Sequence, residues 1–208
     1  MIFGRIFDLS VDQKNNTHMY HIIRQSIALV FTCTLFYNAS NAQVIGSQFP
    51  IMNTSTADGK IVDLPKDTRG KFTLLGLAFS KKSEDDLNTW MEPVFWKFID
   101  KPEGKVDQLF GNYQYDVNAF FVPMFTGVKT AATKTAKRQA LKKMDPRLIP
   151  SILFYKGKLK PYKDALDFQK RDIPYFFVLD EKGKIVYATS GRYTDDKMAR
   201  VEELVSEK

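Results

Sequence analysis

Residues 173–188 read Ile173-Pro174-Tyr175-Phe176-Phe177-Val178-Leu179-Asp180-Glu181-Lys182-Gly183-Lys184-Ile185-Val186-Tyr187-Ala188. Tyr175 to Leu179 is an unbroken apolar run of strand length, aromatic and β-branched for most of it. Asp180 to Gly183 carries turn-forming residues, and Lys184 to Ala188 is the antiparallel partner strand. Thr194 then caps a terminal helix, with Asp195 and Asp196 in the first turn where the helix dipole favours them. That helix is expected to bury Met198, Val201, Leu204 and Val205.

Upstream, Phe72 to Phe79 (FTLLGLAF) is nearly all apolar, as a strand covered on both faces would be. Ser83 is read as the N-cap of a helix with Glu84, Asp85 and Asp86 in its first turn. Trp90, Val94 and Phe98 recur four apart along it, flanked by Met91 and Phe95, and Pro93 should kink it. Val117 to Met124 reads as a second buried strand and Ser151 to Tyr155 as a short one. Asp58-Gly59-Lys60 is a turn between two extended segments. Ala131 to Ala140 reads as a helix, with Ala132, Ala136, Ala140 and Met144 on one side and Lys134, Lys137, Arg138 and Lys142 mostly on the other. The sum is an α/β fold with a mixed central sheet flanked by helices.

The chain has 208 residues, 44% hydrophobic and 26% charged, which excludes a disordered chain, a collagen or a multi-span membrane protein. Its one cysteine, Cys33, and its two histidines, His18 and His21, all fall in the first 42 residues. Residues 19–42 carry Arg24, an apolar run from Ile27 to Tyr37, and Ser40-Asn41-Ala42 ahead of Gln43, the pattern of a secretory signal peptide. The expectation is a leader over 1–42, with translation beginning at Met19 and cleavage after Ala42, and a single domain over 43–208 that is exported to the periplasm or envelope. A domain without Cys or His has no thiol redox chemistry, no histidine acid–base catalysis and no zinc site built from those residues.

Over 43–208 there are 28 basic and 22 acidic residues, and the excess is local. From Val128 to Lys163 eleven Lys/Arg face a single acid, Asp145. Lys129, Lys134, Lys137, Arg138, Lys142 and Lys143 form the candidate basic patch. Such a patch suits an anionic membrane surface or an acidic protein face; for an exported protein nucleic acid is set aside. The competing reading is a solvated helix face.

Phe49-Pro50 through Asp58-Gly59-Lys60-Ile61-Val62-Asp63-Leu64, then Arg69-Gly70-Lys71 and the apolar strand, resembles the opening of thioredoxin-like proteins of the peroxiredoxin and TlpA/ResA reductase groups. Ile173-Pro174 through Asp180, with Lys182-Gly183-Lys184-Ile185-Val186 and Ser190-Gly191, resembles the second half of that fold, and Thr89-Trp90-Met91-Glu92-Pro93 the stretch leading to its kink proline. The resemblance implies a thioredoxin-like fold and a cis Pro174 facing the active site. It also implies cysteines near Lys82 and Asp85, or near Asp85 and Asn88, or a peroxiredoxin nucleophile at Lys81 to Ser83, and none is present. Hydroxyls, amines and carboxylates do not replace a thiolate in disulfide exchange. The chain is similar in outline to the thioredoxin-like assembly factor of the mitochondrial ATP synthase, which also lacks the pair.

The resulting expectation is a non-catalytic module that binds a protein or peptide at the rim Ser80, Lys81, Lys82, Ser83, Asp85, Ile173, Pro174, Gly191 and Arg192, with no cofactor and no metal. Docking of the basic patch to an anionic membrane is the alternative, and a carboxylate-based enzyme the third reading. Glu84, Asp85 and Asp86 lack the spacing of a calcium loop, Asp180 is a turn former, and phosphate-loop, nucleophile-elbow and dinucleotide fingerprints are absent from the sequence. Trp90 and Trp96 either line a groove or fill the core.

Overall fold

The computed structural model describes residues 44–100, 115–126, 135, 137–139, 141–142 and 144–206, all within the unit Asn41–Lys208. Residues 1–42, expected as a leader, and Lys129, Lys134, Lys143, Ala132, Ala136 and Ala140 lie outside the described residues.

The strands are β1 (Met52–Ser55), β2 (Ile61–Leu64), β3 (Phe72–Ala78), β4 (Val117–Thr126), β5 (Phe154–Gly157), β6 (Tyr175–Leu179) and β7 (Ile185–Ser190). They form one mixed sheet in the order β2-β1-β5-β4-β3-β6-β7. β3 runs parallel to β4, and β4 to β5; the remaining pairings are antiparallel. β3 is an interior strand, and its residues Leu74, Leu75, Leu77 and Ala78 are buried, as its nearly all apolar run requires. The helices are α1 (Lys81–Val94), α2 (Lys160–Ala165) and α3 (Asp195–Ser206).

Each face of the sheet carries its own core. One gathers Leu74, Leu87, Trp90, Val94, Phe98, Phe121, Phe176, Met198 and Val201 beneath α1 and α3. The other gathers Phe49, Met52, Phe79, Tyr155, Tyr162, Phe168, Tyr175 and Phe177. Gly76 permits the close seating of α1 on β3, since a Cβ there would lie 2.5 Å from Phe176 Cε1 and 2.9 Å from Leu87 Cδ1. The β6–β7 turn is held by Asp180, whose Oδ1 accepts from the amides of Lys182 (2.9 Å) and Lys184 (2.8 Å).

Both sheet edges are partly closed to further strands. On β7 the Ile185 amide donates to Ser47 O (2.9 Å), Gly46 N donates to Ile185 O (2.7 Å), and Lys197 Nζ takes Ser190 O (2.9 Å). On β2 the Asp63 amide donates to Asp67 Oδ2 (2.8 Å). Short, blocked edges oppose strand addition.

Several expectations need correction. The N-cap of α1 is Ser80, not Ser83; Ser83 is the N3 residue of a capping box with it. β5 begins at Phe154, because Ser151 belongs to a 3-10 turn over Pro146–Ser151. Leu204 is half-buried, while Met198, Val201 and Val205 are buried as expected. α1 runs through Pro93 and gives way directly after Val94 to a π-helical turn, Phe95–Ile99. Residues 137–139 and 141–142 are helical, with Leu141 packed against the core. Lys137, expected on the solvent side, is half-buried: its Nζ donates to Thr56 O (2.6 Å) and sits 4.5 Å from the Phe154 ring centroid.

Candidate functional site

The end of β3 delivers the chain to the start of α1, and two serines shape that junction. Ser80 Oγ accepts from Ser83 N (3.1 Å), while Ser83 Oγ accepts from the amides of Phe79 (3.0 Å) and Ser80 (2.8 Å). Ser83 Oγ in turn donates to Ser80 O (2.8 Å), and the side chain is 0% exposed. The two hydroxyl oxygens stand 3.2 Å apart. Ser80-Lys81-Lys82-Ser83 thus spaces two hydroxyls as a C-x-x-C motif would space thiols. Both are engaged in capping, so they are poor nucleophiles.

One loop meets this junction and a second meets α1 further along. Ser80 Oγ donates to Asp172 Oδ1 (3.3 Å), which brings the segment before β6 against the start of α1. The turn after β7 is fastened to the body of α1 by several bonds. Trp90 Nε1 donates to Gly191 O (3.0 Å), Tyr193 N donates to Thr89 Oγ1 (3.0 Å), and Arg192 Nη1 pairs with Asp86 Oδ1 (3.0 Å). Lys197 closes the turn from α3 by donating to Ser190 O (2.9 Å) and Arg192 O (2.7 Å). Burial holds the Lys197 ammonium below its ordinary pKa. Gly191 adopts φ +82°, the left-handed conformation this tight turn needs.

The structure therefore places Ser80, Lys81, Lys82, Ser83 and Asp85 at the start of α1, and sets Gly191 and Arg192 further along the helix, against Trp90 and Asp86. The bond before Pro174 is trans, not cis as the resemblance implied; among the described residues the cis bond is Leu64-Pro65. Pro174 is buried, and its carbonyl accepts from Gly191 N (2.9 Å). The β6–β7 ladder thus runs one step further than the strands and consumes the acceptor an extended peptide would use. Ile173 beside it is half-buried.

The accessible face of the junction is charged. Lys81 and Asp85 are exposed and paired at 2.6 Å, which raises the Lys81 pKa chiefly through that hydrogen bond. Arg192 is 68% exposed over an Asp86 that is 18% exposed. Glu84 is half-buried, and burial raises its carboxyl pKa against the opposing pull of Lys81. Among the described residues there is no group of three or more His, Cys, Asp or Glu that could hold a metal ion. Asp86, Thr89, Trp90, Asp172 and Lys197 were missing from the sequence-derived rim; the partners of the first four lie 92 to 106 residues away, beyond the reach of local patterning, while Lys197 bonds to carbonyls five and seven residues earlier.

No family model matches the sequence, and no curated protein matches it. Solved structures do. BsSco, a member of the Sco family of cytochrome c oxidase assembly proteins, gives a TM-score of 0.51 at 14% identity over 78% of this chain and 96% of its own. A thiol:disulfide interchange protein DsbE from Chlorobium tepidum gives 0.47 at 16% identity, over 78% and 96%. The exposed lipoprotein thioredoxin of Streptococcus pneumoniae gives 0.46 at 16% identity, over 74% and 99%. At these identities the likeness is one of architecture. The chain has the thioredoxin-like fold, and the one cysteine of its sequence lies at position 33, outside the sheet and helices described above.

Proposed function

We propose that this is an exported, non-catalytic thioredoxin-like protein that binds another protein through side chains at the start of α1 and the two loops against it. The observation that carries this reading is the Ser80–Ser83 pair. Two hydroxyls stand at the spacing of a C-x-x-C pair, but both are locked into a helix cap, with Ser83 0% exposed. Around them Lys81, Lys82, Asp85 and Arg192 are exposed. Because Pro174 is trans and its carbonyl is occupied, recognition rests on these side chains and not on backbone pairing beside the proline. No helix among the described residues is long and apolar enough to cross a membrane.

The test is a photo-cross-linking residue placed at Lys82, at Arg192, and at Lys66 as a control, each in the full chain expressed in cells. A discrete protein adduct from the first two positions, absent from Lys66 and lost on adding Arg192→Glu to the Lys82 probe, is expected. Adducts equal at all three positions, or none at any, would overturn the reading.

A further inference from the structure

Three consecutive carbonyls cross the turn between β7 and α3, and side chains take all of them. Trp90 Nε1 donates to Gly191 O (3.0 Å), and Lys197 Nζ donates to the carbonyls on either side, Ser190 O (2.9 Å) and Arg192 O (2.7 Å). The ammonium spans the turn over Gly191, where an added Cβ would stand 3.9 Å from Nζ. Two amides of the turn are held as well, Gly191 N on Pro174 O (2.9 Å) and Tyr193 N on Thr89 Oγ1 (3.0 Å). The backbone is thus fixed from the residue before β6, from α1 and from α3.

Lys197 differs in kind from the other ties. It is half-buried, and burial pulls its pKa down against the opposing charge of Asp86. α3 is already anchored by Met198, Val201 and Val205, all buried, so seating the helix does not call for an ammonium. Its two hydrogen bonds go to main-chain carbonyls, and a charged donor holds a carbonyl more firmly than a neutral one. Arg192 stands between those two anchors and α1. Its side chain is 68% exposed, with Nη1 on Asp86 Oδ1 at 3.0 Å. Asp86 therefore meets the Arg192 guanidinium by contact and the Lys197 ammonium through space. Gly191 at φ +82° leaves this backbone free to move once its carbonyls are released.

We propose that Lys197 is a positioning residue of the binding site put forward above: by holding the carbonyls before and after Gly191, its ammonium sets Arg192 where it meets the partner. The assignment rests on that binding reading. It adds that α3, which carries no residue of the rim, governs the rim through one amine. Lys197 acts through Arg192 and is no part of the contact itself.

The test changes the amine and follows two readouts in the full chain. Lys197→Met keeps the length of the stem and removes the donors, while Lys197→Arg keeps charge and donors. The first readout is hydrogen exchange of the purified chain. In Lys197→Met the amides of Gly191 and Tyr193 should exchange about tenfold faster, with β3 unchanged, and Lys197→Arg should restore most of the protection. The second is the yield of the protein adduct from a photo-cross-linking residue at Lys82 in cells. It should fall by about tenfold in Lys197→Met and recover in Lys197→Arg. Should Lys197→Met fail to fold, Lys197→Gln, with a shorter and uncharged side chain, carries the test with the same expectation. Exchange at the turn unmoved by Lys197→Met would overturn the assignment. So would equal losses in Lys197→Met and Lys197→Arg, which would trace the effect to packing of the stem. Faster exchange with the adduct at full yield would overturn it and leave the binding reading standing. No adduct from the unmodified chain would remove the binding reading itself, and this assignment with it.

Discussion

Trp90 and Gly191, 101 residues apart, are joined by a hydrogen bond of 3.0 Å from the indole nitrogen to the glycine carbonyl. The same ring stacks on Phe176 at 4.0 Å and meets Tyr193 edge-on at 5.5 Å. One side chain therefore locks α1, the central sheet and the β7–α3 turn together, and Arg192 owes its position to that lock.

Replacing Trp90 with Phe keeps an aromatic ring against Phe176 but removes the donor to Gly191 O. The expected cost is about 1–2 kcal/mol of stability, the scale of a lost buried hydrogen bond. Urea denaturation followed by circular dichroism measures it. Hydrogen exchange at Gly191 and Arg192 should accelerate by more than exchange in β3, because the loss is local to the turn.

Gly76→Ala places a methyl group where Phe176 and Leu87 already stand, at 2.5 and 2.9 Å. The helix must lift from the sheet or the phenyl ring must leave its rotamer, with an expected loss of about 1–3 kcal/mol. A midpoint in urea equal to that of the unmodified chain would mean that α1 sits further from β3 than described.

Glu84 yields a pH-dependent prediction. Burial raises its carboxyl pKa in the folded state, so the folded chain holds that proton more tightly than the unfolded chain does. The associated stability is present below the unfolded pKa, about 4.3, and is lost as pH rises through the folded value. Glu84→Gln should therefore raise the melting temperature at pH 7, with the gain fading as pH is lowered to about 4. A gain that persists unchanged at low pH would assign the effect to something other than ionisation.

Ser80 and Ser83 can be tested as a motif. With Cys33→Ser as background, Ser80→Cys with Ser83→Cys should oxidise to an intrachain disulfide, because the two oxygens are 3.2 Å apart across the first turn. Intact mass with and without reductant reads the result. Persistence as a free dithiol under oxidant would show that the junction does not carry the geometry of a redox pair.

Much of this was readable from residue order. The limits of β6 follow from its five-residue apolar run, and the Trp90–Val94–Phe98 spacing foretold which face of α1 and of the π-helical turn after it is buried. The cap of α1 was misplaced by three residues because Ser80 and Ser83 are both good caps; which one leads depends on hydrogen bonds that local sequence does not specify. Lys137 falls with Arg138 on a helical wheel, yet it is drawn inward by a carbonyl 81 residues earlier, at Thr56. Asp172 likewise gains its role from a partner 92 residues earlier, Ser80, that only the folded sheet brings near. The isomer of the Ile173-Pro174 bond came from resemblance alone, and that is where the resemblance failed.

The central claim is that a thioredoxin-like fold acts here on a protein without thiol chemistry. The most direct measurement is photo-cross-linking from position 82 in cells, comparing the full chain with its Cys33→Ser form. The account predicts the same discrete adduct, at the same yield, in both. Loss of the adduct on removing the one sulfhydryl of the sequence would contradict it and return the protein to redox chemistry.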